Sequence, residues 1–200
     1  MRSIFKIAAL SALLFSTVTV DAQKIKTKQG DPSVLKNEPN INIEFTYDNI
    51  SVGKFDNEKD YIKKKTDEYN AKDPGRGDIW AKDWIADRKN RYEPKFNDLY
   101  MITSKKTINS SAKYTLIFKT RSIEPGYNVM GGMVAFGGRK NAEIDAEVWI
   151  VETANRNNVI AVITIDNAPG GTWGGYDYET GTRIAESYAM SGKKLAKYIY

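Results

Sequence analysis

The chain has 200 residues, with 30 Lys and Arg against 25 Asp and Glu, a formal net charge of +5, and neither histidine nor cysteine. The missing residue types exclude disulfides, Ser–His and Cys–His nucleophile systems and the commonest zinc ligands, and they leave carboxylate chemistry and oxygen-ligated calcium open. Acids and bases are interspersed along the sequence, and so small an excess of positive charge does not predict nucleic-acid binding.

The N-terminus has the pattern of a cleaved secretory signal peptide over residues 1–22. Arg2 and Lys6 form a basic start, residues 7–20 are apolar apart from Ser and Thr, and a small residue, Ala22, precedes the cleavage point. The apolar run is too short to span a hydrocarbon core of about 30 Å, and no cysteine is available for lipid attachment. We therefore expect cleavage after Ala22, a periplasmic or secreted location, and no transmembrane segment in the mature chain.

The mature chain is predicted to begin with an arm and to continue as one domain. Residues 23–40 are rich in lysine, contain two prolines and have little apolar content, which is typical of an extended or mobile segment. Residues 41–50 alternate apolar and polar side chains, and this period of two predicts the first strand of a single domain over residues 41–200.

Two helical segments are predicted next. The first covers residues 57–70, and we interpret its lysines at 63–65 as a solvated face rather than a binding patch. A Pro- and Gly-containing breaker separates it from a second helix that starts at Asp78 and restarts at Pro94. The tryptophans of this second segment, Trp80 and Trp84, are expected to pack against the sheet.

The second half of the chain predicts most of the sheet. Residues 112–123 have the composition of a strand, and the glycine-rich residues 126–138 fit either an edge strand or a loop. The period of two in Ile144–Val151 predicts a half-buried strand, and the β-branched run Val159–Ile165 predicts a strand inside the sheet that is covered on both sides. We expect these two strands to pair antiparallel through a turn at residues 155–158.

The last predicted helix begins at Thr180 or Thr182 and carries one stripe of large and one of small side chains. The large stripe is expected to cover one face of the sheet and consists of Ile184, Tyr188, Leu195 and Ile199. The predicted order is β-α-α-β-(β)-β-β-α. This order corresponds to an α+β fold with a mixed, largely antiparallel sheet and flanking helices.

Two glycine-rich loops, at residues 126–138 and 169–176, form the candidate binding surface. Neither has the glycine spacing of a phosphate-binding loop. Aromatic side chains on a backbone built from glycine anchor partners or sugars when they are exposed, so the candidate binding residues are Trp173, Tyr176, Tyr178 and Phe136. The alternative is that these rings fold back over one end of the sheet.

Carboxylates supply the remaining candidates for chemistry. Asp145 and Glu147 lie on one face of a strand with about 6–7 Å between their Cα atoms, a separation compatible with a glycosidase pair. Pairing with Lys or Arg on a neighbouring strand is the alternative. Asp166, Asp177 and Glu179 lack the spacing of a calcium-binding loop. No catalytic residue, metal ligand or cofactor is therefore predicted.

The C-terminal two-thirds of the chain resembles a group of exported bacterial domains. The likeness consists of Pro125-Gly126, a glycine-rich run, Asp145-x-Glu147-Val148-x-Ile150-Val151, a second hydrophobic strand, a second glycine-rich loop, Gly181-x-Arg183-Ile184-Ala185 and Gly192-Lys193-x-Leu195-Ala196-x-Tyr198-Ile199. In these motifs the chain resembles uncharacterised exported domains of bacterial envelopes that are distantly similar to the periplasmic domain of the curli-secretion lipoprotein CsgG. The resemblance implies a mixed sheet with flanking helices and a role in envelope assembly or interaction, and it transfers no catalytic residue.

Together these observations favour a non-enzymatic exported domain, periplasmic or associated with the outer membrane, that acts through protein–protein contact in the cell envelope. The expected partner is another envelope protein or a second copy of the chain. The alternative is a carbohydrate- or small-ligand-binding module that uses the Trp173 loop. A third hypothesis is a hydrolase that uses carboxylates.

Overall fold

A seven-stranded sheet forms one layer of the molecule in our computed structural model, which describes residues 23–128, 139–171 and 179–200. The strands in chain order are β1 (Lys24–Gly30), β2 (Asn40–Thr46), β3 (Ser51–Val52), β4 (Thr107–Ile108), β5 (Tyr114–Glu124), β6 (Tyr127–Asn128), β7 (Arg139–Lys140), β8 (Ala142–Glu152) and β9 (Asn155–Gly170). The main sheet has the order β1-β9-β8-β5-β2-β4, with β3 also paired to β5, whereas β6 and β7 pair only with each other. The α+β fold class is confirmed, and most of the sheet is antiparallel.

The helices follow the same chain order. They are α1 (Glu58–Asn70), α2 (Arg76–Asp87), α3 (Glu93–Ser104) and α4 (Thr180–Ile199), with a π-helical turn (Arg88–Tyr92) that joins α2 to α3 and a short 3-10 helix (Pro32–Leu35) after β1. Among the residues that the structure describes, no helix has the length and the apolar composition needed to cross a bilayer.

The central hairpin is formed by β8 and β9 and confirms the predicted antiparallel pair. Val148 lies opposite Ile163, and Ile150 lies opposite Ala161. The turn is at residues 153–154 rather than at 155–158, because Asn155 already pairs with Glu152 in the ladder. The residues that tolerate a turn are therefore the first residues of β9.

One face of this hairpin is covered by α4. Ala161, Ile163 and Ile165 of β9 are fully buried on that face, and α4 packs on β8 and β9. The predicted apolar stripe is confirmed, since its four residues, Ile184, Tyr188, Leu195 and Ile199, are all at most 2% exposed. The run Val159–Ile165 lies inside the sheet between β1 and β8, as predicted. Its opposite face is covered only in part, since Val162 is 6% exposed but Ile160 and Thr164 are only partly buried. We call this second face the open face; its residues include Glu44, Ile117, Lys119, Glu147, Trp149 and Thr164.

Residues 23–40, predicted to be an arm outside the domain, lie in the sheet. They form β1, in which Ile25 pairs with Ile165 at the edge next to β9. The backbone N–H of Thr27 donates to the Tyr198 hydroxyl of α4 at 2.9 Å, and Leu35 is fully buried. The ladder with β9, the bond to Tyr198 and the burial of Leu35 thus hold a segment whose composition is otherwise typical of a solvated tail.

The glycine-rich segment 126–138 is described only at its first residues. Tyr127 and Asn128 form β6, which pairs with Arg139 and Lys140 of β7 in a short antiparallel ladder. Residues 129–138 lie outside the described residues, so the choice between strand and loop for them stays open.

Candidate ligand-binding pocket

A cavity of about 590 Å³ opens where α1, α2 and the first turn of α4 meet the end of β5. Five aromatic and five cationic side chains line it among the described residues. We call it the aromatic–cationic pocket, and those side chains are Phe55, Tyr61, Tyr69, Trp80, Tyr127, Lys54, Lys64, Lys65, Lys140 and Arg183.

Helix α1 contributes one wall of the pocket. Asn57 caps this helix, because its side-chain oxygen accepts a hydrogen bond from the Asp60 backbone N–H at 2.9 Å. The wall residues Tyr61, Lys64, Lys65 and Tyr69 are spaced i, i+3, i+4 and i+8, a spacing that places them on one face of a helix. The cap and this spacing together turn a face with two lysines between two tyrosines into the cavity.

The aromatic rings of the pocket meet at steep angles. The Tyr61 and Trp80 ring centroids are 5.8 Å apart with an interplanar angle of 66°, and Tyr69 and Trp80 are 5.7 Å apart at 51°. Phe55 meets Tyr61 at 5.9 Å and 64°. Edge-to-face contacts of this kind stabilise an aromatic cluster, and they leave single ring faces toward the cavity.

A tight turn after β3 presents two residues at the mouth of the pocket. Val52 and Phe55 exchange backbone hydrogen bonds of 2.9 and 3.0 Å, and the turn between them contains Gly53 at a φ of 55°. Glycine adopts this left-handed conformation without the steric cost that other residues incur. The turn therefore holds Lys54 and Phe55 beside the rings of α1.

Three ammonium groups of the lining border the ring faces, and outside the lining Lys72 Nζ and the Arg76 guanidinium lie 6.0 and 5.6 Å from the Tyr69 centroid. The Nζ atoms of Lys54 and Lys64 are 5.9 and 5.8 Å from the centroid of Phe55, and Lys65 Nζ is 5.9 Å from the centroid of Tyr69. These distances lie at the outer limit of a cation–π contact. A ligand group that rests on one of the rings would therefore lie within reach of an ammonium group.

Carboxylates near the pocket are few, and they are already engaged. Glu124 accepts from Lys140 Nζ at 2.7 Å and from the Gly126 backbone N–H at 3.0 Å. The hydrogen bond to Glu124 raises the pKa of Lys140, so this amine stays protonated. Outside the lining, Glu68 accepts from Lys65 at 3.1 Å and lies 3.4 Å from Lys64, and the bond from Lys65 lowers the Glu68 pKa.

The floor of the pocket is built around Arg183 of α4, which is 4% exposed. Its guanidinium donates to the backbone carbonyl of Pro125 at 3.3 Å and to the Thr180 hydroxyl at 3.1 Å. At Gly126 (φ 65°) an added Cβ would lie 2.4 Å from the carbonyl oxygen of Lys140. The close approach of these two backbone segments requires glycine at this position and holds the floor in place.

The charge of the lining is strongly positive. Its described residues include five cationic side chains and one carboxylate, Glu124. A concave, partly apolar surface concentrates such a potential and attracts negative charge. The pocket therefore has the charge and shape to bind an anion that also has an apolar or ring-shaped surface.

The four residues predicted to form the binding surface, Trp173, Tyr176, Tyr178 and Phe136, lie outside the described residues, and their role stays a prediction. Three described residues in or beside the two glycine-rich loops do line the pocket. Tyr127 and Lys140 line it beside the first loop, and Thr180 lines it beside the second.

The predicted carboxylate pair on β8 is held by separate partners. Asp145 accepts from the Ser122 hydroxyl at 2.6 Å and from the Asn167 backbone N–H at 2.8 Å. Glu147 accepts from Lys28 at 3.1 Å. Burial raises the Glu147 pKa, but hydrogen bonds from Trp149 and Lys28 outweigh it and leave the pKa lowered. A carboxyl that stays ionised is unsuited to the role of general acid.

The carboxylates considered for calcium are likewise bound to cations. Asp166 accepts from Arg121 at 2.7 Å, and Glu179 accepts from Arg91 at 2.7 Å. Asp177 lies outside the described residues. Within those residues, no group of three or more Asp or Glu side chains is placed to hold a metal ion.

Sequence reasoning missed the pocket residues on α1. Lys63 has the solvated position that was predicted and pairs with Asp67 at 2.7 Å, whereas Lys64 and Lys65 line the pocket. Trp80 was expected to pack in the core, but its side chain is only partly buried and lines the pocket. The available signal was the helical spacing of Tyr61, Lys65 and Tyr69 along one face of α1.

Comparison with known proteins gives little similarity. No protein-family model and no curated protein matches this chain. Among solved structures, the PelC dodecamer from Paraburkholderia phytofirmans is similar at a TM-score of 0.35 and 9% identity, covering 84% of this chain and 96% of that one. A single-substitution variant of that dodecamer gives a TM-score of 0.35, 10% identity, and coverage of 84% and 97%. A TM-score of this size does not establish a shared fold, and the resemblance to CsgG-like domains stays a prediction.

Proposed function

We propose that the mature chain is an exported, non-enzymatic binding domain whose aromatic–cationic pocket takes an anionic small ligand. The observation that carries this proposal is the excess of five cations over one carboxylate in a cavity lined by aromatic rings. Export and an envelope location rest on the signal-peptide pattern of residues 1–22 and on the resemblance to envelope domains.

The pocket favours ligand binding over the two other functions that the sequence left open. Protein–protein contact was predicted at loop residues outside the described part of the chain, so no described contact supports it. A carboxylate-based hydrolase needs two free carboxyl groups that face one cleft. The only carboxylate among the described lining residues, Glu124, is bound to Lys140 and to the backbone of Gly126.

The proposal is tested with anilinonaphthalene sulfonate, a fluorescent probe that combines an aromatic body with one negative charge. We expect saturable binding to the folded protein. The double substitution Lys54→Ala with Lys64→Ala should weaken it about tenfold, the effect of losing roughly 1.4 kcal/mol of charge attraction. Near-ultraviolet circular dichroism of each variant verifies that the protein stays folded.

The matched control is Lys63→Ala, which removes a neighbouring lysine that points away from the pocket and pairs with Asp67. This variant should change the dissociation constant less than twofold. An equal loss in the control and in the pocket variant would show non-specific attraction to the surface and would refute the proposal.

A further inference from the structure

We infer that the ligand of the aromatic–cationic pocket is an acidic saccharide, meaning a sugar ring that carries carboxylate or sulfate groups. This inference rests on the proposed function, which specifies only a negative charge and an apolar or ring-shaped surface.

The arrangement of the rings selects a puckered ring over a flat one. A flat aromatic ligand binds best between two nearly parallel rings, and neighbouring rings in this pocket meet at 51° to 66°. A sugar needs one ring face, on which its axial C–H groups pack. Trp80 and Phe55 are only partly buried and line the cavity, so they offer such faces.

The positions of the cations match anionic substituents at the edge of a sugar ring. Lys54, Lys64 and Lys65 place their ammonium groups 5.8 to 5.9 Å from ring centroids. A sugar ring stacked on Phe55 would bring its carboxylate or sulfate within reach of these ammonium groups. An ammonium group is a point charge with three donors, so it binds acid groups and sugar hydroxyls without requiring a planar fork.

The remaining lining residues supply polar groups for hydroxyls. Tyr61, Tyr69 and Tyr127 bring phenol groups, and Thr180 brings a hydroxyl, all of which donate and accept hydrogen bonds. The cavity of about 590 Å³ lies in the range of pockets that hold drug-sized molecules. A disaccharide or trisaccharide fits this size better than a single inorganic anion does.

The test is isothermal titration of the full mature chain with five probes. Trigalacturonate is the acidic sugar, and neutral galactotriose is its uncharged counterpart. Citrate and tetraglutamate carry carboxylates without a sugar ring, and adenosine monophosphate carries a phosphate on a flat base. We expect trigalacturonate to bind at least about tenfold more tightly than each of the other four, a difference of about 1.4 kcal/mol.

Two outcomes overturn the inference and remain distinct from failure of the proposed function. Equal or tighter binding of citrate, tetraglutamate or adenosine monophosphate would leave an anion pocket that does not select sugars. Equal binding of galactotriose, with anilinonaphthalene sulfonate still weakened by Lys54→Ala with Lys64→Ala, would keep the anion site and show that the acid groups of the sugar do not contribute to its binding. If neither these anions nor anilinonaphthalene sulfonate bind, the proposed function itself fails.

A second measurement locates the sugar and does not depend on a variant that stays folded. Saturation of the aromatic protons of the unsubstituted protein should transfer to the ring C–H protons of trigalacturonate. Trp80→Ala should then raise the dissociation constant of trigalacturonate at least fivefold while changing that of citrate less than twofold. Equal loss for both probes would show that Trp80 only supports the shape of the pocket and would contradict stacking.

Discussion

The open face of the sheet and the aromatic–cationic pocket differ in the balance of their charged side chains. On the open face, cations pair with carboxylates across the strands at distances of 2.7 to 3.1 Å, and these pairs are Lys28–Glu147, Arg121–Asp166 and Arg156–Glu44. In the pocket, Lys140 pairs with Glu124, and Lys64 and Lys65 pair with Glu68 beside the lining. The described lining itself still holds five cations and one carboxylate. Charges that cancel keep a surface solvated, whereas an excess of one sign keeps a potential available for a ligand.

The aromatic residues of the two regions show the same difference. On the open face, Lys119 Nζ lies 3.2 Å from the centroid of Trp149, so an ammonium group already covers that ring. In the pocket, the ammonium groups of Lys54 and Lys64 are 5.9 and 5.8 Å from the Phe55 centroid. On the open face the ammonium group lies directly on the ring, whereas in the pocket the ammonium groups lie at the outer limit of a cation–π contact and cover the Phe55 ring less closely.

The largest expected effect tests whether the open face is solvated. Replacing Ile163 with Ala on the covered face should lower the free energy of unfolding by about 2–5 kcal/mol, because a fully buried side chain leaves a cavity. Its neighbour Thr164 points to the open face, and Thr164→Ala should cost less than about 1 kcal/mol. Chemical denaturation measures both, and similar losses would mean that the open face is covered after all.

A smaller effect on the free energy of unfolding tests the charge balance of the two regions. Arg156 pairs with Glu44 on the open face, with side chains 41% and 44% exposed, so Arg156→Gln should cost at most about 1 kcal/mol. Lys54 belongs to the positive pocket, so Lys54→Gln should leave stability unchanged or raise it by a few tenths of a kcal/mol. If Lys54→Gln destabilises the protein as much as Arg156→Gln does, the two regions do not differ in charge balance.

The smallest effect is a pH dependence on the open face. The hydrogen bond from Arg156 is the main cause that lowers the pKa of Glu44 below its ordinary value of 4.5. A carboxyl whose pKa is lower in the folded state adds stability above the unfolded pKa and loses it as pH falls through the folded pKa. A carboxyl-detected NMR titration should find the Glu44 pKa below 4.5, and Arg156→Gln should raise it. An unchanged Glu44 pKa in that variant would show that Arg156 does not lower it.

The parts of the fold that were predictable are those with a complete local pattern. The period of two in β8 and the apolar stripe of α4 both predicted their buried faces. Strand β1 was not recognised, because Lys24, Lys26 and Lys28 give an edge strand the composition of a tail. Edge strands commonly carry lysines, which discourage pairing with other chains. Only its register with β9 distinguishes it from a tail, and that register is not a local property.

The pocket could not be predicted from local sequence patterns for a related reason. Its walls come from the turn after β3, from α1 and α2, from the end of β5 and from the start of α4. The spacing of Tyr61 and Lys65 indicates one helix face, but it does not indicate what lies opposite. Lys64 and Lys65 have the composition of a solvated face until Phe55 and Trp80 are brought beside them by tertiary packing.

The pairing of β1 with β9 also determines the order in which the sheet is assembled. Lys24 pairs with Asp166, with nearly the whole described chain between them. Synthesis delivers β1 before any other described element, and β9 emerges only after the other strands of the sheet. Contacts of such large sequence separation form slowly, so β1 has no strand partner until β9 has been made. The three lysines of β1, which give it the composition of a tail, keep this strand hydrated until it pairs.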